Sequence, residues 1–137
     1  MPKKLKFVKM QGCGNDYIYF DCFEQQIDDP EALAVKLSDR HFGVGGDGVV
    51  LICPSKLADV KMRMFNIDGS EGKMCGNAIR CVGKYLYEKG IVLSRDMRIE
   101  TASGVKEVRV YSFNGKVNSA SVNLGKAELA GKKIPCV

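Results

Sequence analysis

The feature that most limits how this chain can fold lies between Asn77 and Lys89. At about 100° per residue, Arg80, Lys84 and Glu88 recur at i, i+4 and i+8 and form one narrow polar stripe. Ala78, Ile79, Cys81, Val82, Gly83, Tyr85, Leu86 and Tyr87 fill the rest of the circle. A helix that is apolar over most of its circumference must be surrounded by other structure, not laid on a surface. Gly90 is its expected C-terminal stop. Projected backwards, Cys75 falls on the apolar side, so its thiol is expected to point inward, in line with Ile79 and Leu86.

The flanking sequence supplies strands to surround it. Leu5 to Met10 alternates and reads as a first strand. Gln11-Gly12-Cys13-Gly14-Asn15-Asp16 is a turn, and Tyr17 to Cys22 is the returning strand of a hairpin with a polar tip at Asn15. Asp29 caps a helix with Pro30 at its first position. That helix is expected to run to about Arg40, with Leu33, Leu37 and the alanines inward. Val49 to Cys53 is a continuous apolar run, the mark of a buried strand, and Val60 to Asn66 alternates as a half-buried one. Met97 to Thr101, Val105 to Tyr111 and Val117 to Leu124 read as strands, with Asn114-Gly115 a tight-hairpin signal. The fold class expected is α+β, a curled mixed, barrel-like sheet wrapped around the central helix.

The glycine-rich stretch His41 to Gly48 invites a phosphate-binding reading. Its order is helix, loop, strand, whereas dinucleotide and P-loop motifs need strand, loop, helix. A tight turn or close backbone approach is the stronger reading. Six cysteines occur with no C-x-x-C pair, and His41 is the only histidine. A zinc site and a disulfide framework are both disfavoured, and no metal is expected. The net charge of +5 is spread along the chain, which argues for solvation and against nucleic-acid binding. No apolar run is long enough to cross a membrane and no signal-peptide core is present, so a cytoplasmic protein without a membrane partner is expected.

Chemistry concentrates just before the central helix. Phe65-Asn66-Ile67-Asp68-Gly69-Ser70-Glu71 reads as a strand end and a turn, and Met74-Cys75-Gly76-Asn77 as a helix start. Unpaired N–H groups at a helix N-terminus favour anions, and can lower a cysteine pKa or hold a carboxylate. A lone buried cysteine is more commonly a packing residue. The spacing leaves both readings open.

Four motifs in order narrow the choice: Gly12-Cys13-Gly14-Asn15-Asp16, Asp39 to Gly45, Phe65 to Glu71, and Met74-Cys75-Gly76-Asn77-Ala78-Ile79-Arg80-Cys81. Together they closely resemble the N-terminal half of diaminopimelate epimerase, a pyridoxal-independent isomerase of lysine biosynthesis. Proline racemase and the phenazine-pathway isomerases share that fold but differ around the cysteine. The resemblance implies two similar domains, each a barrel-like sheet around a helix, with diaminopimelate bound between them and no cofactor. It implies that Cys75 is one of two acid/base cysteines, that Gly76 and Asn77 seat the reacting carboxylate, and that Asn15 and Asn66 bind the far amino-acid end. A turn-stabilising role for Asn15 and Asn66 remains the alternative.

Two departures from the family pattern stand out. Some members carry Gln directly after the Asp of the glycine-rich loop, where this chain has Gly48 after Asp47. The second Cys-Gly-Thr-type motif of the family's other half does not occur in these residues. Residues 1–125 are therefore expected to form an N-terminal epimerase-type domain, with 126–137 a tail or the start of a connection to a C-terminal domain that is missing here. Alone, the chain is expected to be inactive, and its open inter-domain face could support a homodimer. The alternatives are a non-catalytic binding or assembly domain, or another racemase of the same fold.

Overall fold

A computed structural model describes residues 4–123. In chain order the elements are β1 (Val8–Gly12), β2 (Asn15–Asp21), α1 (Pro30–Ser38), β3 (Gly48–Cys53), β4 (Val60–Asn66), β5 (Glu71–Gly72), α2 (Gly76–Glu88), β6 (Asp96–Thr101), β7 (Gly104–Phe113) and β8 (Lys116–Asn123). The strands form one sheet in the order β1-β2-β3-β4-β6-β7-β8, with β5 paired to β4 off that path. The β2–β3 and β4–β6 pairings are parallel and the others antiparallel. The two parallel junctions are the places where a helix intervenes, as a parallel crossover requires.

The sheet is mixed and curled, with a helix on each face. On the concave face, Tyr17, Tyr19, Val50, Ile52, Val60, Met62, Met64, Met97, Ile99, Val108 and Val110 pack with the apolar residues of α2. On the convex face Ile18, Phe20, Val49, Leu51 and Phe65 pack with Ala34 of α1. Alternate residues of β2 and β3 thus serve two cores, which explains the unbroken apolar run at Val49 to Cys53. Each fully buried side chain of this size contributes roughly 1.5–3 kcal/mol.

Helix α2 touches both ends of the sheet, packing against β1 and β2 on one side and β7 and β8 on the other. Gly83 allows the close approach, because a Cβ there would lie 2.9 Å from Val108 Cγ1. The helix ends in a Schellman motif. Gly90 takes φ +73°, its N–H donates to Tyr87 O at 3.1 Å, and Ile91 N–H donates to Leu86 O at 3.0 Å. The polar stripe faces the seam between the sheet's ends. Lys84 Nζ donates to Val117 O at 3.2 Å, and Val117 N–H donates to Glu88 Oε2 at 2.8 Å. Both polar groups of one β8 peptide edge are thus satisfied by the helix.

Several boundaries differ from the sequence-based expectation, each for a local reason. The first strand starts at Val8, not Leu5, because the side chain of Gln25 holds both backbone groups of Lys6, at 3.0 and 2.6 Å. Helix α1 stops at Ser38 because Asp39 Oδ1 accepts from the N–H groups of His41 and Phe42. Ala32 is exposed; of the α1 alanines only Ala34 is buried. Strand β5 was not expected at all. Leu124 and the tail at 126–137 lie outside the described residues. Among the described residues, no helix is long and apolar enough to cross a membrane.

Candidate functional site

Topology gathers the motifs at one end of the sheet. The Cys13-Gly14 turn joins β1 to β2 with φ values of 51° and 90°, so Asn15 stands at the start of β2, opposite Gly12. Strand β3 runs parallel to β2 and begins at Gly48. Strand β4 runs antiparallel and ends at Asn66, opposite Gly48. The chain then passes through β5 and enters α2 with Cys75 as its N-cap.

Gly12 lets α2 reach this edge. A Cβ on Gly12 would lie 3.2 Å from the main-chain O of Asn77 and 3.6 Å from Cys81 Sγ. At this contact the side chains form a continuous chain of hydrogen bonds. Arg80 Nη2 donates to Asn77 Oδ1. Asn77 Nδ2 donates to Asn15 Oδ1 at 2.6 Å. Asn15 Nδ2 donates to Asp47 Oδ2 at 3.3 Å. Asp47 Oδ2 also accepts from Asp16 N–H at 3.0 Å, and Asp47 N–H donates to Asp16 O at 2.6 Å.

Cys75 is 2 % exposed and packs in the concave core. Its side chain makes no capping hydrogen bond. The first main-chain bond of the helix is Ile79 N–H to Cys75 O at 3.0 Å, so the N–H groups of Gly76, Asn77 and Ala78 have no acceptor within the helix. Burial alone would suit a packing cysteine equally; the N-cap position beside Asn77 is what sets Cys75 apart. Nearby, burial pushes the Cys81 thiol pKa up.

Asn66 is placed at the same end of the sheet but is held differently. Its Nδ2 donates to Ser70 Oγ at 3.0 Å and its N–H to Ser70 O at 2.8 Å. Asp68 Oδ1 accepts from both Ser70 N–H and Ser70 Oγ, closing a compact turn. The structure therefore joins Asn15 to Asn77 directly, whereas Asn66 bonds within its own loop.

Behind Asn15 lies a charged cluster. Arg40 grips Asp16 with two bonds, Nη1 to Oδ2 at 3.1 Å and Nη2 to Oδ1 at 2.9 Å, and reaches Asp47 Oδ1 at 3.2 Å. Lys9 Nζ donates to Asp16 Oδ2 at 2.9 Å. Arg40 first, then Lys9, holds the Asp16 carboxyl well below its usual pKa. Sequence reasoning overlooked Asp47 and Arg80 as partners of the asparagines. Only the i, i+3 spacing of Asn77 and Arg80 carried a signal. Among the described residues no three His, Cys, Asp or Glu side chains are grouped to hold a metal ion.

Residues 7–130 match the family model described as diaminopimelate epimerase. The chain is 56 % identical over 135 residues to a diaminopimelate epimerase of Desulfovibrio desulfuricans, covering 98 % of this chain and 47 % of that protein. It is 51 % identical over 131 residues to one of Acetivibrio thermocellus, covering 96 % and 47 %. A solved structure of a probable proline racemase from Agrobacterium radiobacter K84 superposes with TM-score 0.70 at 16 % identity, over 87 % of this chain and 41 % of that one. That likeness shows a shared fold and the two sequence matches show the family. This chain, spanning about half the length of the curated relatives it matches, belongs to the diaminopimelate epimerase family.

Proposed function

We propose that this chain is the N-terminal half of an isomerase that interconverts LL- and meso-diaminopimelate, a step of lysine biosynthesis, with Cys75 as one of two acid/base cysteines. The observation that carries the reading is the placement of Cys75 at the N-cap of α2, two residues before an asparagine bonded to Asn15. The twofold greater length of the relatives supports a second domain that supplies the other face of the site. On this reading residues 1–125 are the first domain and 126–137 begin the connection.

The chemistry accounts for the parts. Inversion at an α-carbon removes a proton from one face and delivers one to the other. A thiolate takes the α-proton and becomes a thiol. The electron pair left on carbon delocalises into the carboxylate. A thiol on the opposite face then gives its proton to that carbon and becomes a thiolate. The N–H groups of Gly76 and Asn77 at the α2 N-terminus seat the carboxylate where negative charge grows. Asn15 and Asn66 offer uncharged donors and acceptors, suited to the zwitterionic far end of the substrate.

The test is α-proton exchange and epimerisation of LL-diaminopimelate in deuterated water. The full-length protein is expected to turn over, and Cys75→Ser in it to lose at least about a thousandfold of that rate. This 137-residue polypeptide alone is expected to show negligible turnover. Near-native turnover by the Cys75→Ser protein would remove the role given to Cys75.

A further inference from the structure

We propose that Arg80 and Asp47 are positioning residues, the two ends of a relay that fixes which way the amides of Asn77 and Asn15 point. The inference rests on the reading that these two asparagines bind substrate. The relay runs from Arg80 through Asn77 and Asn15 to Asp47. A guanidinium can only donate and a carboxylate can only accept, whereas a carboxamide does either, depending on its orientation.

Consequently the ends dictate the middle. Arg80 must face an oxygen, so Asn77 turns Oδ1 to it and Nδ2 towards Asn15. Asn15 must then offer Oδ1 to Asn77, which leaves its Nδ2 for Asp47. Flipping either amide would set oxygen against oxygen on one side and N–H against N–H on the other. Asn77 is only 1 % exposed, so water cannot relieve such a mismatch. Asp47 is itself anchored, since its carboxylate also takes Asp16 N–H and Arg40 Nη2. Arg80 Nη2 also approaches Cys13 Sγ at 3.8 Å, in the turn between β1 and β2.

The benefit of one fixed polarity is chemical. Each Nδ2 carries a second N–H beyond the one used in the relay. With the polarity set, the second N–H of the half-buried Asn15 is presented as a donor, which suits a ligand bearing carboxylates, while the buried Asn77 amide passes the polarity on. With the polarity lost, Asn15 samples an orientation that turns its oxygen towards an anion. Arg80 and Asp47 thereby act on substrate through the asparagines without touching it.

The experiment has two arms. In the first, side-chain amide resonances of Asn15 and Asn77 are recorded on the 137-residue chain and on Arg80→Gln and Arg80→Lys. Gln can present either end of its amide and so no longer sets the polarity; Lys remains donor-only. The Asn15 resonances, two links from residue 80, are expected to shift or broaden in Arg80→Gln and to return near their original positions in Arg80→Lys. Asp47→Asn, read at Asn77, is the second variant should Arg80→Gln not fold. In the second arm, the full-length protein is assayed with LL-diaminopimelate. Arg80→Gln is expected to raise KM about tenfold or more, with a smaller change in kcat and substantial recovery in Arg80→Lys.

Unmoved Asn15 resonances would overturn the relay. Moved resonances with an unchanged KM would overturn the positioning role. A full-length protein that does not epimerise diaminopimelate would defeat the functional reading, and the relay would then be judged on the Asn15 resonances alone.

Discussion

Gly48 lies so close to Phe65 on the adjacent strand that a Cβ on Gly48 would stand 2.2 Å from the Phe65 carbonyl oxygen. The atom in the way is backbone, in a strand whose ladder and core packing are fixed, so it cannot turn aside as a side chain could. Position 48 therefore calls for a residue without a Cβ. Gly48→Ala is expected to destabilise the chain by about 2–3 kcal/mol, measured by urea unfolding. An unchanged midpoint would mean that β3 and β4 can separate locally.

A second prediction concerns the β8 edge. Lys84 and Glu88 satisfy both polar groups of Val117, and they also pair with each other at 3.2 Å. Glu88→Ala leaves the Val117 N–H without its acceptor, at a cost of about 1–2 kcal/mol. Hydrogen exchange should show Val117 losing protection while the β2 amides keep theirs. Retained protection at Val117 would show that the helix does not hold this edge.

The charged cluster predicts a pH dependence with a definite sign. The Asp16 pKa is lowered in the folded chain, chiefly by Arg40 and then Lys9. The stabilisation is therefore complete above the unfolded pKa, near 3.9, and falls away as pH drops through the folded value. Asp16→Asn should lower stability by about 1 kcal/mol at pH 7 and show a smaller further loss below about pH 4 than the parent chain. Parallel curves for the two proteins over that window would rule out Asp16 as a contributor. The comparison must be differential, because Asp39, Asp68, Glu71, Glu88 and Asp96 are also lowered.

Gly83 sets a helix-propensity gain against a steric conflict. Alanine at an interior helix site is favoured over glycine by about 1 kcal/mol. At 2.9 Å, however, its Cβ would press on Val108 Cγ1, with Val110 Cγ1 at 3.3 Å. Val108 is 1 % exposed and β-branched, so it has little room to yield. Gly83→Ala should destabilise by about 1–2 kcal/mol net, and the double variant with Val108→Ala should be more stable than the two single effects sum to. Strict additivity would contradict the contact.

Thiol accessibility differs across the chain. Cys13 is exposed in its turn, whereas Cys81 is buried and its thiol is pushed up. A disulfide-exchange reagent at pH 8 should label Cys13 roughly tenfold or more faster than Cys81. Equal rates, mapped by peptide mass, would show that the α2–β1 contact opens readily.

Much of this architecture is legible from local pattern. The near-encirclement of α2 follows from its three-residue polar stripe, and the Asn114-Gly115 hairpin from its dipeptide, which adopts φ 53° and 79°. What escaped is what depends on distant partners. Strand β5 is two residues long and exists because Met64 and Phe65 pair with it, helped by the two bonds from Arg63 to Glu71. No local periodicity could announce it. The same holds within the site. Asn15 and Asn77 stand out as polar residues in motifs, but their union across 62 positions, and the roles of Asp47 and Arg80 at its ends, arise only when β2, β3 and α2 meet. The polar stripe is plain in the sequence, but that its Lys84 and Glu88 grip β8 is not.

The wrapping of α2 also sets an order of events during synthesis. The ribosome completes the helix at Glu88, but β8 ends at Asn123, 35 residues later by subtraction. Until β7 and β8 have emerged, α2 lacks two of its packing partners, and the side at Gly83 lacks the Val108 and Val110 that lie against it. At about 5–20 residues per second that interval lasts roughly 2–7 seconds. A nascent chain paused in that window presents an apolar helix face to its surroundings, and that is where a chaperone would find it.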